Sequence, residues 1–315
     1  MNKTLTLVAM ALALSTNAFA WPDKTITLVV PFPAGGATDA LARTLTPKLQ
    51  EKLKQNVIVD NKAGATGTIG AGFVKRAPAD GYTLLVTSLG PLVIAPYLLA
   101  KVPYDASKDF DYLTVAVQAP NVLVVPASSP YKTMAELIAA EKANPGKLTF
   151  ASAGTGTSDH LSAELFWLQS GTSGLHVPYK GAAPAITDLL GGQVDAAFQN
   201  INNVLPHITA GKLRVLAIAA PKRSPLLPNV PTLTESGVKD ADATSWQGVV
   251  APKGLPPAVK AQIHAALMDA LADPAVKQKF AEVGFEMVAN TPEQFAAYQA
   301  SEAARWKKLI ETRKI

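Results

Sequence analysis

The chain has no cysteine among its 315 residues. This excludes disulfide bonds, thiolate metal sites and a cysteine nucleophile, and also a lipid-modified amino terminus, since lipid attachment requires a cysteine. Charged residues make up only 17% of the sequence, and Lys and Arg are scattered rather than gathered into basic runs. A nucleic-acid partner is therefore not expected, whereas the net charge of +5 suits an anionic small molecule.

Long apolar runs are also missing beyond the first residues of the chain. Residues 1–20 combine Lys3, an apolar stretch from Leu5 to Leu14 and the small-x-small ending Ala18-Phe19-Ala20, a pattern typical of a cleaved signal peptide. A membrane anchor is the alternative, but the apolar stretch is shorter than the roughly 20 residues that span a bilayer. We expect an exported, periplasmic protein that begins at Trp21.

Several motifs of enzymes and cofactor sites are absent. The sequence has no GxxxxGK[ST] and no GxSxG, and GTGTSD at 154–159 lacks the last glycine of GxGxxG. His160 and Glu164 have the spacing of metal ligands on a helix, but no third ligand lies nearby, so helix capping or packing is favoured. We therefore expect no cofactor, no metal and no enzymatic activity.

Short apolar runs alternate with helical patterns along the chain. They predict strands at 25–30, 57–59, 83–86, 122–125, 148–151, 194–198 and 213–219. Continuous apolar strands separated by helices are typical of parallel sheets that are covered on both faces. The fold class is therefore α/β, and about 295 residues favour two domains. In the first helix, Leu41, Leu45 and Leu49 form one stripe, and Pro47 predicts a kink or break near Thr46.

Three loops rich in small residues, at 31–39, 151–160 and 178–185, each follow a strand and open a helix. A helix N-terminus binds anions through its free N–H groups, and glycines let a ligand approach the backbone. We expect Gly35 and Gly36 to leave room for a carboxylate, although ordinary βα turns have the same composition. No arginine lies in these loops, so a bidentate guanidinium clamp from them is not expected.

Two acidic residues have more than one interpretation. Asp39, in the first turn of its helix, either complements the helix dipole or faces the ligand or organises the loop. Asp195, at a strand start, has either a cleft role or a structural role. Both alternatives stay open at this point.

Longer segments occur in an order that resembles one known family. They include VPFPAGGATD (30–39), NKAGATGTIGAGFV (61–74), SAGTGTSDHLSAELF (152–166) and VPYKGAAPAITDLLGGQVDAAF (177–198). Together they resemble the Bug family, the extracytoplasmic substrate-binding proteins of tripartite tricarboxylate transporters. The resemblance covers essentially the whole chain after residue 20.

The resemblance implies a type II periplasmic binding-protein fold, a Venus flytrap of two α/β domains with a cleft between them. Domain 1 would comprise 21–121 and 221–315, and domain 2 would comprise 122–220. The protein would be a monomer that delivers a small organic carboxylate (a dicarboxylate, a tricarboxylate or an aromatic acid) to the membrane subunits of the transporter. The ligand-binding positions implied are Phe32, Pro33, Ala34, Gly35, Gly36, Ala37, Thr38, Asp39, Ser88, Ser152, Ala153, Gly154, Thr155, Gly156, Thr157, Tyr179, Lys180, Gly181 and Asp195.

Two other functions remain as alternatives. One is an exported hydrolase on the same fold that uses Ser152 or Ser158 with His160. The other is a carboxylate sensor that reports to a signalling receptor.

Overall fold

The computed structural model describes residues 21–315, and the expected signal peptide 1–20 lies outside them. The strands are β1 (Ile26–Val30), β2 (Val57–Asn61), β3 (Thr83–Ser88), β4 (Phe110–Pro126), β5 (Thr149–Ser152), β6 (Leu175–Pro178), β7 (Ala196–Asn200), β8 (Leu213–Ala219), β9 (Thr244–Pro252) and β10 (Glu286–Met287). The helices are α1 (Ala37–Leu53), α2 (Thr68–Lys75), α3 (Ala95–Leu98), α4 (Met134–Ala143), α5 (Ser158–Ser170), α6 (Ala182–Leu190), α7 (Ile201–Thr209), α8 (Pro257–Ala272), α9 (Pro274–Glu282) and α10 (Pro292–Arg313). A 3₁₀ turn (Ala65–Gly67) precedes α2, and a π-helical turn (Gly90–Ile94) precedes α3.

The long strand β4 joins two sheets. Through Pro120 it pairs with β9 in a sheet of order β2-β1-β3-β9-β4-β10, and from Asn121 it pairs with β7 and β8 in a sheet of order β8-β4-β7-β5-β6. The first sheet belongs to the first domain and the second sheet to the second domain. The α/β class with two domains is therefore as the sequence predicted.

The expectation of parallel sheets is only partly right, because both sheets are mixed. β1 is parallel to β2 and β3, and β5 is parallel to β6 and β7. In contrast, β9 is antiparallel to β3 and β4, and β4 is antiparallel to β7 and β8. Nearly all residues of β4 and β9 are buried. A continuous apolar run therefore indicates that a strand is buried on both faces. It does not indicate whether the strand is parallel or antiparallel to its neighbours.

Alternate residues of β1 show how the layers are built. Leu28 packs into the core under α1 and α8, whereas Val29 packs into the core on the opposite face, which includes Trp306 of α10. Successive strand residues point to opposite faces, so the first sheet carries helices on both sides.

The break expected near Thr46 is wrong, because α1 continues through Pro47 to Leu53. Pro47 lies on the exposed face of the helix, where water can bind the carbonyl group that the proline leaves unpaired. On the opposite face, Leu41 and Leu45 are fully buried and hold the helix on the sheet.

Within residues 21–315, no helix combines the length and the apolar character that crossing a membrane would require.

Candidate ligand-binding site

The loop between β1 and α1 is shaped by its glycines. Gly35 has a φ of +87°, a left-handed conformation that residues with side chains rarely adopt. Gly36 precedes the first residue of α1, and no side chain of the described residues caps this helix. The first N–H groups of a helix have no partner within it. Those of Ala37 and Thr38 are therefore open to a ligand.

The Asp39 carboxylate holds this loop from behind. Its Oδ2 accepts hydrogen bonds from Gly35 N–H at 3.0 Å and Arg43 Nε at 2.9 Å, and its Oδ1 accepts from Asn61 Nδ2 at 3.0 Å. Burial would raise the pKa of Asp39, but these hydrogen bonds outweigh burial and lower it. Asp39 is thus an ionised organiser of the loop, one of the roles that the sequence left open.

The second domain presents two more helix N-termini. Gly181, with a φ of +114°, precedes α6, and within residues 21–315 no side chain caps that helix. Thr157 precedes α5, and its side chain accepts a hydrogen bond from His160 N–H. The N-terminus of α6 is therefore open to a ligand, whereas that of α5 has its own cap.

A cavity lies where these N-termini meet. It encloses about 120 Å³, many times the roughly 10–15 Å³ that one water molecule needs. Of the residues singled out in the sequence, those that line it are Phe32, Pro33, Ala34, Gly35, Gly36, Ala37, Thr38, Ser88, Ala153, Thr157, Ser158, Lys180 and Gly181. The wall also includes Gly90, Asp159, Ala182, Ala183, Pro184, Asn200, Asn203, Ser245 and Gln247.

Seven residues of the sequence-based set do not line this cavity: Asp39, Ser152, Gly154, Thr155, Gly156, Tyr179 and Asp195. Tyr179 Oη donates to Asp188 Oδ2 at 2.7 Å. Asp195 Oδ2 accepts from the N–H and the hydroxyl of Thr149 at 2.8 and 2.7 Å. These contacts of Asp195 join the start of β5 to the start of β7. Of its two interpretations, they favour the structural role.

Sequence reasoning missed several polar residues of the wall. Asn200 ends β7 at the sheet edge that carries the expected loops, and the polar pair Gln199-Asn200 after an apolar run was the available signal. Ser245 and Gln247 lie on β9, which the sequence analysis did not assign, on either side of the fully buried Trp246. Successive strand residues face opposite sides, so Trp246 packs in the core while its two neighbours reach the cavity.

One basic and one acidic side chain line the cavity within the described part of the chain, Lys180 and Asp159. Asp159 is 4% exposed, and its carboxylate accepts from Ala153 N–H at 3.2 Å and Ser158 Oγ at 3.3 Å. Burial raises the pKa of Asp159 to about 6, although these hydrogen bonds act in the other direction.

A chain of side-chain hydrogen bonds connects this wall to β4. Asn200 Nδ2 donates to Asn121 Oδ1 and, at 3.2 Å, to Ser158 Oγ. Asn121 Nδ2 donates to Ser162 Oγ at 2.7 Å, and Ser162 Oγ donates to Ser158 O at 2.8 Å. Asn121 is the residue at which β4 passes into the second sheet.

The two domains touch each other beside the cavity. Thr66 Oγ1 donates to Thr155 O at 3.0 Å. A Cβ atom at Gly156 would lie 2.8 Å from Thr66 Cγ2 and 2.7 Å from Leu98 Cδ2. The two domains are therefore in direct contact here, and a side chain at position 156 would push them apart.

A serine and two histidines lie together behind the cavity. Ser152 Oγ is 2.6 Å from His176 Nε2, and His176 stacks on His160 with ring centroids 3.9 Å apart. Burial and the neighbouring His160 lower the pKa of His176 to about 4. Ser152 is 1% exposed and is not part of the cavity wall. A substrate in the cavity would not reach its hydroxyl. Ser158 does line the cavity, but its hydroxyl donates to Asp159 Oδ1, while His160 Nδ1 accepts from Gly156 N–H.

Residues 41–315 match the family model of TctC, described as tripartite tricarboxylate transporter family receptor. The chain belongs to this family. Its members are solute-binding receptors that work with tripartite transporters outside the cytoplasm.

Relatives and solved structures agree with this membership. Protein BugT of Bordetella pertussis is 38% identical, with 98% of each chain covered. A protein of R. palustris solved with adipate has a TM-score of 0.90 at 35% identity, covering 94% of this chain and 99% of its own. MatC from Rhodopseudomonas palustris with bound malate has a TM-score of 0.87 at 32% identity, covering 92% of this chain and 100% of its own. The resemblance to the Bug family is confirmed.

The Asp159→Asn variant tests the burial of the Asp159 charge. Between the unfolded pKa of 3.8 and the folded pKa of about 6, the native state holds a proton that the unfolded state has lost. Stability from Asp159 is therefore full below pH 3.8 and falls as the pH rises through this window, by at most about 3 kcal/mol. We expect the Tm of the variant, measured without ligand, to rise relative to that of the wild type between pH 4 and pH 8. A difference in Tm that is equal at both pH values would contradict the burial of a charge.

The Gly156→Ala variant tests the contact between the domains. Thr66 is β-branched and its hydroxyl is engaged, so it does not turn away easily. We expect ligand affinity to fall about tenfold or more. Gly171→Ala is the matched control, because Gly171 also has a left-handed φ, +63° against +75° at Gly156, but a Cβ there meets no atom within 4 Å. Equal affinity of the two variants would show that position 156 does not limit closure.

Proposed function

We propose that this protein is a periplasmic receptor that binds a small organic carboxylate between its two domains and delivers it to the membrane subunits of a tripartite tricarboxylate transporter. One observation carries the proposal. The uncapped N-termini of α1 and α6 come from different domains and border the same cavity. Free N–H groups and the positive end of the helix dipole favour a carboxylate there without a guanidinium group.

The carboxylate would accept hydrogen bonds from the N–H groups of Ala37 and Thr38 on one side and of Ala182 and Ala183 on the other. The remaining cavity residues would surround the body of the ligand. Dicarboxylates are reasonable first candidates, because one similar protein was solved with adipate and another with malate.

The domain limits proposed are 21–121 with 221–315, and 122–220. The hinge would then lie at Asn121, where β4 changes sheets, and in the return between β8 and β9. A ligand that contacts both domains favours the closed form by its greater affinity for that form. The closed form would be the one that the membrane subunits recognise.

We further propose that the protein is an exported monomer, released by cleavage after residue 20, and not an enzyme. The family is one of solute-binding receptors, and the serine paired with a histidine, Ser152, is buried away from the cavity. A hydrolase would also need a base that takes up a proton near neutral pH, and the lowered pKa of His176 does not favour this.

A thermal-shift screen of residues 21–315 tests the proposal. Ligands would be aliphatic di- and tricarboxylates, aromatic acids and amino acids, each with its neutral amide as a control. A ligand at a hundred times its Kd stabilises the native state by about 2.7 kcal/mol, which raises Tm by several degrees at roughly 2–4 °C per kcal/mol. We expect one class of carboxylates to shift Tm and the amides to have no effect. A shift with neutral compounds alone would reject the proposal, and a ligand recovered chemically changed would favour the hydrolase.

The Gly36→Val variant locates the carboxylate. The backbone at Gly36 has a φ of −86° and a ψ of 174°, which valine adopts without strain, and a Cβ there approaches only Pro33 O, at 3.9 Å. The side chain would then occupy the space beside the N-terminus of α1. We expect an unchanged fold and an affinity at least a hundredfold weaker, an order-of-magnitude estimate for a blocked site.

Gly191→Val is the control for that variant. Gly191 has a φ of −79°, lies outside the cavity and is exposed, and a Cβ there would be 3.5 Å from its nearest neighbour, Thr187 O. Affinity should stay at the wild-type value. Binding by Gly36→Val as tight as by this control would reject the assignment of the first loop.

A further inference from the structure

Three buried polar side chains of the cavity wall bear on what the ligand carries besides its carboxylate. This inference rests on the proposed function, in which a carboxylate of the ligand occupies α1 and α6. The three are Asp159, Asn200 and Gln247, which line the same cavity and are 4%, 6% and 1% exposed. The chemistry of these buried groups determines what the rest of the ligand carries.

Asp159 is a carboxylate in a cavity built for an anion, and Lys180, the basic residue of the same wall, is exposed and forms no ion pair with it. Its hydrogen bonds come from the neutral groups Ala153 N–H and Ser158 Oγ. Among residues 21–315 it forms no ion pair with any Lys, Arg or His. A second carboxylate of a ligand beside ionised Asp159 would be repelled, whereas a cation would be attracted.

Asn200 presents its oxygen and not its amide hydrogens to the ligand. Ser162 Oγ gives its hydrogen to Ser158 O, so it accepts from Asn121 Nδ2, and this turns Asn121 Oδ1 towards Asn200. Asn200 Nδ2 therefore points into this chain of hydrogen bonds. Asn200 Oδ1 receives no hydrogen bond from the described residues and is left for the ligand.

Gln247 adds an acceptor from the first domain. Its Nε2 donates to Ser245 Oγ at 2.8 Å, and its buried Oε1 has no hydrogen-bond partner in the part of the chain that the structure describes. A buried acceptor without a donor destabilises the protein. A ligand that donates to Gln247 Oε1 removes this penalty.

We propose that the ligand is an amino carboxylate, whose carboxylate lies at the N-termini of α1 and α6 and whose ammonium group is held by Asp159 and Asn200, with Gln247 as a further acceptor. An ammonium group has three N–H donors and no acceptor, which matches the acceptors of Asp159, Asn200 and Gln247. Its charge also balances Asp159. A neutral hydroxyl supplies one donor and leaves the Asp159 charge unbalanced.

The rival is a plain dicarboxylate that binds protonated Asp159. In that case Asp159 would donate its proton to the second carboxylate of the ligand. The Asp159→Asn variant separates the two, because an Asn amide donates as a protonated acid does but carries no charge to hold an ammonium group.

Binding is measured by calorimetry on residues 21–315 with pairs of acids that differ only in the amine. The pairs are aspartate and succinate, glutamate and glutarate, alanine and propionate, and phenylalanine and 3-phenylpropionate. We expect the amine member of one pair to bind at least about tenfold more tightly than its partner. Asp159→Asn should weaken the amine member by about tenfold to a hundredfold and should not weaken its partner.

Glu136→Gln is the matched control, because it removes one negative charge from the same domain, outside the cavity, and keeps the capping box of α4. It should bind both members as the wild type does. Tighter binding of the amine-free member, retained or improved in Asp159→Asn, would overturn the inference and leave the proposed function standing. Loss of both members in Asp159→Asn, with an unchanged Tm, would overturn the assignment of Asp159 to the amine. Wild-type protein that binds no member of any pair would overturn the inference, and if other carboxylates of the thermal-shift screen bind, the proposed function survives.

Discussion

The unpaired N–H groups at the starts of α1 and α6 are the feature on which the rest of the site depends. Each helix follows a glycine, and within residues 21–315 no side chain takes the place of a cap at either of them. Backbone donors without partners are costly when they are buried, so an anion that reaches them stabilises the protein. Since one helix belongs to each domain, the same anion also ties the domains together.

The loops that border the cavity are held in place by hydrogen bonds of polar side chains. Asp39 fixes the first loop through Gly35, Arg43 and Asn61. In the second domain, Thr157 bridges Gly154 O and the start of α5. Such supports fix the direction of the N–H groups before a ligand arrives, which lowers the entropy lost on binding. The backbone N–H groups of the site are thus preorganised by the side chains that support their loops.

The position where β4 changes sheets is connected to the ligand wall by hydrogen bonds. Asn121 bonds Asn200 and Ser162, and Ser158 joins Asn200 to Asp159. A group bound at Asp159 therefore acts on the same network that begins at the crossing between the domains. Beside the cavity, Thr66 of the first domain donates a hydrogen bond to Thr155 O of the second.

Local patterns in the sequence determined the α/β class, most strands and the loops that open α1 and α6, because burial and glycine conformations are encoded within a few residues. The sequence also pointed to the Bug family, because long motifs keep their order. Tertiary structure alone brought Ser245 and Gln247 of β9 to the same cavity as Asp159 and Asn200 of the second domain, across a long separation along the chain. It alone showed that the carboxylates of Asp39 and Asp195 accept hydrogen bonds from a neighbouring loop and a neighbouring strand. The orientation of a buried polar group depends on partners far away in the sequence, and only the fold selects them.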